Sequence, residues 1–309
     1  MAEPRLLIVG QSNMELDLRL PRFPAAGETL KSDGVFRFSP GGRAGQAAAC
    51  TAKLGIDTLL CTRIGNDLNG RTLKNFYDAC GVDTRFVKAD KNRPTALCQT
   101  ITEQEGRTRS ILFPGATGAL TDEDLEDAFS AFPDGLLISF DCGDFLFRRA
   151  CALAAELGIP VFADGMRPDF EYPMTMPRLE AIVLGEAETY AYTDIYPDCL
   201  DNYVRACIRL NAKINSRYFI IRLKGRGTFL TDGKYSEIIS LPDTAGEMAE
   251  KPDVFTAALA AEMIAGESVR NAVKIAGVVS AYISLNRGNA DPYPTREQLA
   301  DFCKNYGIR

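Results

Sequence analysis

A chain of 309 residues, 46% hydrophobic and 25% charged, has the composition of a soluble globular protein with room for a large core. A net charge of −6 and a pI near 5.0 argue against partners such as nucleic acid or anionic membranes, and apolar runs such as Gly135–Phe140 are far too short to span a bilayer. The absence of histidine excludes Ser-His-Asp and Cys-His catalysis and histidine-ligated metals, so a general base must come from Asp, Glu, Lys, Tyr or Cys.

The opening MAEPRLLIVG enters a strand-like run at once, with no h-region or cleavage site, so no export signal is read and a cytoplasmic protein is expected. Residues 14–39 alternate polar and apolar around turn residues, as do residues 94–113. Both segments predict antiparallel hairpin strands with one solvated face, forming a small lid. Between and after them, strand-like runs recur at 6–10, 58–65, 135–140, 160–164, 181–185 and 218–224. Helical patterns lie between most of them, at Gly45–Leu54, Arg71–Cys80, Phe145–Leu157 and Tyr203–Asn211. This alternation predicts an α/β fold with a central, mostly parallel sheet and helices on both faces. In the last third, Val254, Phe255, Leu259 and Met263 recur at helical spacing and predict a helix with one apolar stripe, followed by a second helix over Val269–Leu285. No linker or repeat divides the chain, so a single domain over 1–309 is expected.

Nine cysteines are scattered without a CxxC pair, which reads as buried thiols in a reducing compartment and not as a zinc site. Neither GxxxxGK[ST] nor a GxGxxG after a strand occurs, which disfavours P-loop and dinucleotide folds. Two segments carry chemistry. SPGGRAGQAAACTAKLG (39–55) puts Gly41 and Gly42 at the mouth of a small-residue helix, either as a close approach for a polyhydroxyl or anionic ligand or as a plain turn. DTAGEMAEKPDVFTAAL (243–259) places Asp253 at a helix start, as a functional carboxylate or as a simple cap.

Five segments in order resemble the ribokinase (PfkB-type) sugar kinase family: FPAAGET (23–29), PGGRAGQAA…AKLG…TRIGNDLNG (40–70), FPGATGALTDEDL (113–125), DTAG…DVFTAALAA (243–261) and RGNADPYPTREQL (287–299). The resemblance covers essentially the whole chain. It implies a ribokinase-like α/β fold with a β lid, transfer of the γ-phosphoryl group of ATP to a sugar hydroxyl, and Mg²⁺ bridging phosphate oxygens. By that likeness Asp253 is the base, and Gly246 with neighbouring amides forms the anion hole. Asn13, Glu15, Gly41, Gly42, Gln46 and Asp141 line the sugar pocket. Arg167, Arg222, Lys224, Gly225 and Gly227 lie along the nucleotide, and Glu188 holds a metal-bound water. A monovalent cation near Asp243 is left open, and the lid strands offer an edge for a homodimer.

The chain departs from the family's pattern in two places. On the sugar side, Glu15, Gln46 and Asp141 each differ from the family's residue by one methylene. On the phosphate side, residues 247–252 lengthen the loop before Asp253, and Pro252 has no N–H to donate. A second function therefore stands beside the kinase: a weak or inactive homologue that binds a sugar or nucleotide as a sensor or partner.

Overall fold

The computed structural model describes residues 4–165, 170–240, 252–286 and 291–308. The chain begins with β1 (Arg5–Val9) and crosses into a four-stranded second sheet through β2 (Asn13–Leu20) and β3 (Phe36–Gly41). It returns through α1 (Arg43–Lys53), β4 (Asp57–Gly65), α2 (Leu68–Cys80) and β5 (Val87–Asp90). The second sheet is completed by β6 (Ala96–Glu103) and β7 (Thr108–Phe113). Then follow α3 (Asp122–Phe129), β8 (Gly135–Ser139), α4 (Asp144–Leu157), β9 (Val161–Asp164), β10 (Leu179–Gly185), α5 (Glu186–Thr193) and α6 (Leu200–Lys213). The chain continues with β11 (Ser216–Leu223), β12 (Gly227–Thr231), β13 (Ser236–Ile239), α7 (Pro252–Ile264), α8 (Val269–Leu285) and α9 (Arg296–Asn305).

The large sheet runs β13-β12-β11-β10-β9-β8-β1-β4-β5, parallel from β11 to β5. The antiparallel hairpin β12–β13 extends one edge and was not anticipated from the sequence. Strand β1 shows why such runs are continuously apolar. Leu6 and Ile8 join the core under α1, α2, α7 and α8, while Leu7 and Val9 join the core under α3, α4 and α6. A sheet buried on both faces needs apolar side chains on both sides of each strand.

Two expectations are corrected here. The second sheet, ordered β3-β2-β6-β7, is not made of antiparallel pairs alone: β2 and β6 run parallel, because they belong to separate excursions from the large sheet. Helix α7 does not have a single apolar stripe. Val254 and Phe255 and the run from Ala257 to Ala261 are all buried, since the helix is wedged between the sheet, α1 and α8. A helix enclosed on all sides is apolar all round. Its small alanines let α1 and α7 approach each other and the sheet.

Candidate active site

Chain order locates the site before any side chain does. From β1 the chain builds outward through β4 and β5 on one side, and through β8, β9, β10 and β11 on the other. The order therefore reverses between β1 and β8, and such a switch point leaves a crevice at the carboxyl ends of the strands. The residues at those ends are Gly10 to Ser12 after β1, Asp141 just past β8, and Asp164 closing β9. Two helices aim their N-termini at the same place: α1 brings Arg43 and α7 brings Asp253.

Arg43 Nη1 lies 3.5 Å from Asp253 Oδ1 and 4.0 Å from Asp164 Oδ1. Arg43 Nη1, Asp164 Oδ1 and Asp253 Oδ1 are all buried, and none has a hydrogen-bond partner in the described structure. Burial by itself would lower the pKa of Arg43, but Asp164, Asp253, Asp141 and Glu188 together outweigh it and raise it. Burial pushes the Asp164 carboxyl up to about 7 against the pull of Arg43, with Asp253, Asp141 and Glu188 adding to the rise. Solvent reaches Asp141 along the crevice, yet protein surrounds its other sides, and this desolvation lifts its carboxyl to about 6 despite Arg43. Several carboxylates around one guanidinium form a group poised to hold or exchange protons near neutrality.

The remaining sequence candidates fall into two groups beside this centre. Under the lid, Gln46 Nε2 donates to Glu15 Oε1 at 2.8 Å, and Asn13 is buried at the start of β2 with its Nδ2 donating to the Met14 carbonyl. The Gly pair works differently from the expectation of a ligand approach through free helix amides. The Ala44 and Gly45 amides both donate to the Gln11 carbonyl, at 3.1 and 3.3 Å. A Cβ on Gly42, at φ +87°, would lie 2.5 Å from that carbonyl, and one on Gly41 would strike the Glu15 side chain at 2.4 Å. Both glycines admit the protein's own groups.

Along the same edge, Glu188 Oε2 accepts from the Gly185 amide at 2.8 Å and steadies the start of α5. Arg222 lies over the Phe255 ring on α7, 5.2 Å from its centroid. The turn between β11 and β12 holds Lys224 and Gly225, both exposed, and the Lys224 amide donates to Glu186. A Cβ on Gly227 would meet the Ile239 carbonyl at 2.4 Å, so this glycine serves the β12–β13 pairing. Arg226, grouped in the sequence with this basic turn, is tied to Glu186, to the Pro197 and Asp198 carbonyls and to the Tyr203 hydroxyl. Gly246, Arg167 and the 247–251 stretch lie outside the described residues.

Motif reading missed Arg43 and Asp164. Each had a signal: Arg43 directly follows the Gly pair, and Asp164 is a carboxylate closing the apolar run PVFAD. Conversely, two of the signature segments are scaffold. Asp67 accepts from the Gly70 amide, from Thr95 Oγ1 at 2.6 Å and from the Thr95 amide, so GNDLNG clasps α2 to the root of β6. In LTDEDL, Asp124 completes a capping box with Thr121 and takes a fork from Arg63 at 2.6 and 3.1 Å.

Fold and crevice together define the class: a ribokinase-like α/β protein, with its polar centre at the switch point beside a β lid. A model of the pfkB family of carbohydrate kinases matches residues 3–296, and the chain belongs to that family. It is 24% identical to a ribokinase of Arabidopsis thaliana over 97% of this chain and 81% of that protein. It is 21% identical to a deoxyribokinase of Salmonella typhi over 96% and 98%. Among solved structures, the same fold is seen in Arabidopsis thaliana ribokinase complexed with ribose and ATP, at TM-score 0.85 and 23% identity over 98% and 99% of the two chains. It is seen also in a Methanocaldococcus jannaschii nucleoside kinase, at TM-score 0.76 and 14% identity over 97% and 98%.

Proposed function

We propose that this protein transfers the γ-phosphoryl group of ATP to a hydroxyl of a small sugar, with Asp253 as the general base. The observation that carries the reading is the position of Asp253: first turn of a buried helix, side chain 15% exposed, at the sheet's switch point beside Arg43. There it can take a hydroxyl proton while the helix N-terminus favours the developing charge. Asn13, Glu15, Gln46 and Asp141 supply acceptors and donors suited to a polyol, and the backbone around Gly246 is assigned to the anion hole. Arg167, Arg222, Lys224 and Gly225 are assigned to the nucleotide side.

Glu188 fits a role beside Mg²⁺. It is a hard oxygen donor, fixed by its bond to the Gly185 amide, and its charge reaches Arg43 and Asp164. Bound with ATP, the ion supplies charge neutralisation on the phosphates. A monovalent cation near Asp243 belongs to the same proposal. We place the protein in the cytoplasm, a reading supported by nine cysteines that are all free. No described helix is long and apolar enough to cross a membrane. We also propose a homodimer through the lid. One face of that sheet carries Phe36, Phe38, Ile111 and Phe113, all exposed and brought onto one side by the register. Light scattering tests it: a monomer at micromolar concentration rejects it.

The test of the activity is ADP release from Mg-ATP across pentoses, hexoses, keto-deoxy acids and nucleosides. Turnover with one acceptor, lost in Asp253→Asn, supports the kinase. A folded protein that binds sugar or ATP with no turnover supports the second reading, a binding homologue. Pro252 favours that alternative, since it removes an amide donor immediately before Asp253.

A further inference from the structure

We propose that Asp164 is a positioning residue for phosphoryl transfer: it holds the Arg43 guanidinium in shared attraction with Asp253, so the base keeps a counter-charge without being captured in a closed ion pair. The proposal rests on the kinase reading above.

Arg63 has two carboxylates in reach, but on different nitrogens: Nε and Nη2 close a two-pronged fork on Asp124, while Nη1 lies 3.8 Å from Asp90. Arg43 has closed on neither of its partners. One nitrogen, Nη1, faces both carboxylates at 3.5 and 4.0 Å, with no hydrogen bond made and all three atoms buried. Leaving such groups unmatched is costly, so an arrangement that does so needs a cause. What sets Arg43 apart from Arg63 is that its two anions, on opposite elements, meet one and the same nitrogen.

The surroundings are cut to allow it. Gly165 follows Asp164 at φ +63°, and a Cβ there would lie 2.5 Å from Arg43 Nη1. A void of about 10 Å³ bounded by Arg43, Ala44, Ser139 and Asp164 adds slack on the same side, about the size of one water. The charged groups facing Asp164 are Arg43 from α1, Asp253 from α7, Asp141 from the end of β8 and Glu188 from α5.

In the reaction, the acceptor O–H bond breaks and its proton goes to Asp253. The acceptor oxygen bonds to the γ-phosphorus, and the bond to the bridging oxygen breaks, leaving ADP. Once protonated, Asp253 no longer attracts Arg43, and the guanidinium closes on Asp164. Asp164 thus takes over the cation when the base loses its charge.

The experiment compares wild type with Asp164→Asn, which keeps shape and removes charge. The expected result is a fall in kcat of about tenfold at about pH 8 with KM for the sugar within about twofold, and loss of a rise in kcat that wild type shows around pH 7, where Asp164 takes its charge. The rise belongs to wild type alone because the Asn side chain carries no charge at any pH. A fall in kcat that leaves the rise in place is what a structural role predicts, and it overturns the proposal. If Asp164→Asn does not fold, ¹³C titration of the Asp164 carboxyl replaces it. In wild type the titration falls near pH 7, and in Asp253→Asn it moves down, since a neighbouring anion is gone. An unmoved titration overturns the proposal. Wild type without turnover on any acceptor removes the kinase reading alone, while the titration still decides whether the two carboxylates share Arg43.

Discussion

Arg63 and Arg43 face similar surroundings and reach opposite arrangements. Arg63, at the end of β4, has Asp124 and Asp90 within reach and closes a fork on Asp124, which is itself held by the Thr121 cap. Arg43, at the start of α1, has Asp164 and Asp253 within reach and closes on neither. Completed polar networks fix a scaffold in one state, whereas unmatched buried groups persist where chemistry needs them. The contrast separates the parts of the family signature that build the fold from those that face the crevice.

The sharpest way to break the comparison is at the crevice. Asp253→Asn is expected to lower kcat by about 10² to 10⁴, the range for a general base, while leaving thermal stability near wild type. Steady-state ADP release and a melting curve check both halves. A comparable loss of stability would make Asp253 a scaffold residue like Asp124, and the contrast would fail.

The converse holds at the scaffold. Asp124→Ala removes a buried carboxylate that serves a cap and a guanidinium at once, and is expected to cost about 3 kcal/mol in denaturant unfolding. Asp67→Ala acts alike by undoing three hydrogen bonds at the root of the lid, with a cost of about 2 kcal/mol. Neither substitution is expected to move the pH–rate profile.

A smaller effect sharpens the comparison through pH. Burial raises Asp164 to about 7 in the folded chain, so the folded state holds a proton that the unfolded state has released above its ordinary value near 3.8. Stability from this group is therefore present at low pH and is lost as pH rises towards 7. Asp164→Asn has no such loss. The melting temperature of the variant relative to wild type is expected to rise between pH 5 and pH 8, and a constant difference would show that Asp164 does not titrate in that window.

How much of this was legible in the sequence follows from the same division. The strands β1, β4, β8, β9, β10 and β11 could be read because double burial leaves continuous apolar runs, and α8 matched its predicted span. The hairpin β12–β13 escaped because GTFLT is short and flanked by turn residues, and the parallel β2–β6 pair escaped because register between distant segments leaves no local pattern. Asp253 and Asp141 stood out through the family's signatures, and the structure brings both to one crevice. Arg43 and Asp164 did not, since a pairing across 121 residues depends on the switch-point topology and not on spacing. Gly41 and Gly42 were legible as glycines, while what they make room for, Glu15 and the Gln11 carbonyl, was not.

The smallest expected effect concerns the basic turn after β11. Arg226 lies in the same basic stretch as Arg222 and Lys224, which the family resemblance assigns to the nucleotide. The structure ties its guanidinium to Glu186, two backbone carbonyls and Tyr203, which anchors the turn to the loop before α6. The side chain remains partly solvated, so the pair with Glu186 contributes little by itself. Arg226→Ala is therefore expected to lower stability by about 1 kcal/mol or less and to leave KM for ATP within about twofold. Lys224→Ala, exposed in the same turn, is the matched control: it leaves the anchor intact and removes only charge. A rise in KM for ATP of about tenfold in the lysine variant alone would place phosphate at this turn and make Arg226 its support. The same rise in Arg226→Ala, with stability unchanged, would move Arg226 from the scaffold group to the crevice group, beside Arg43.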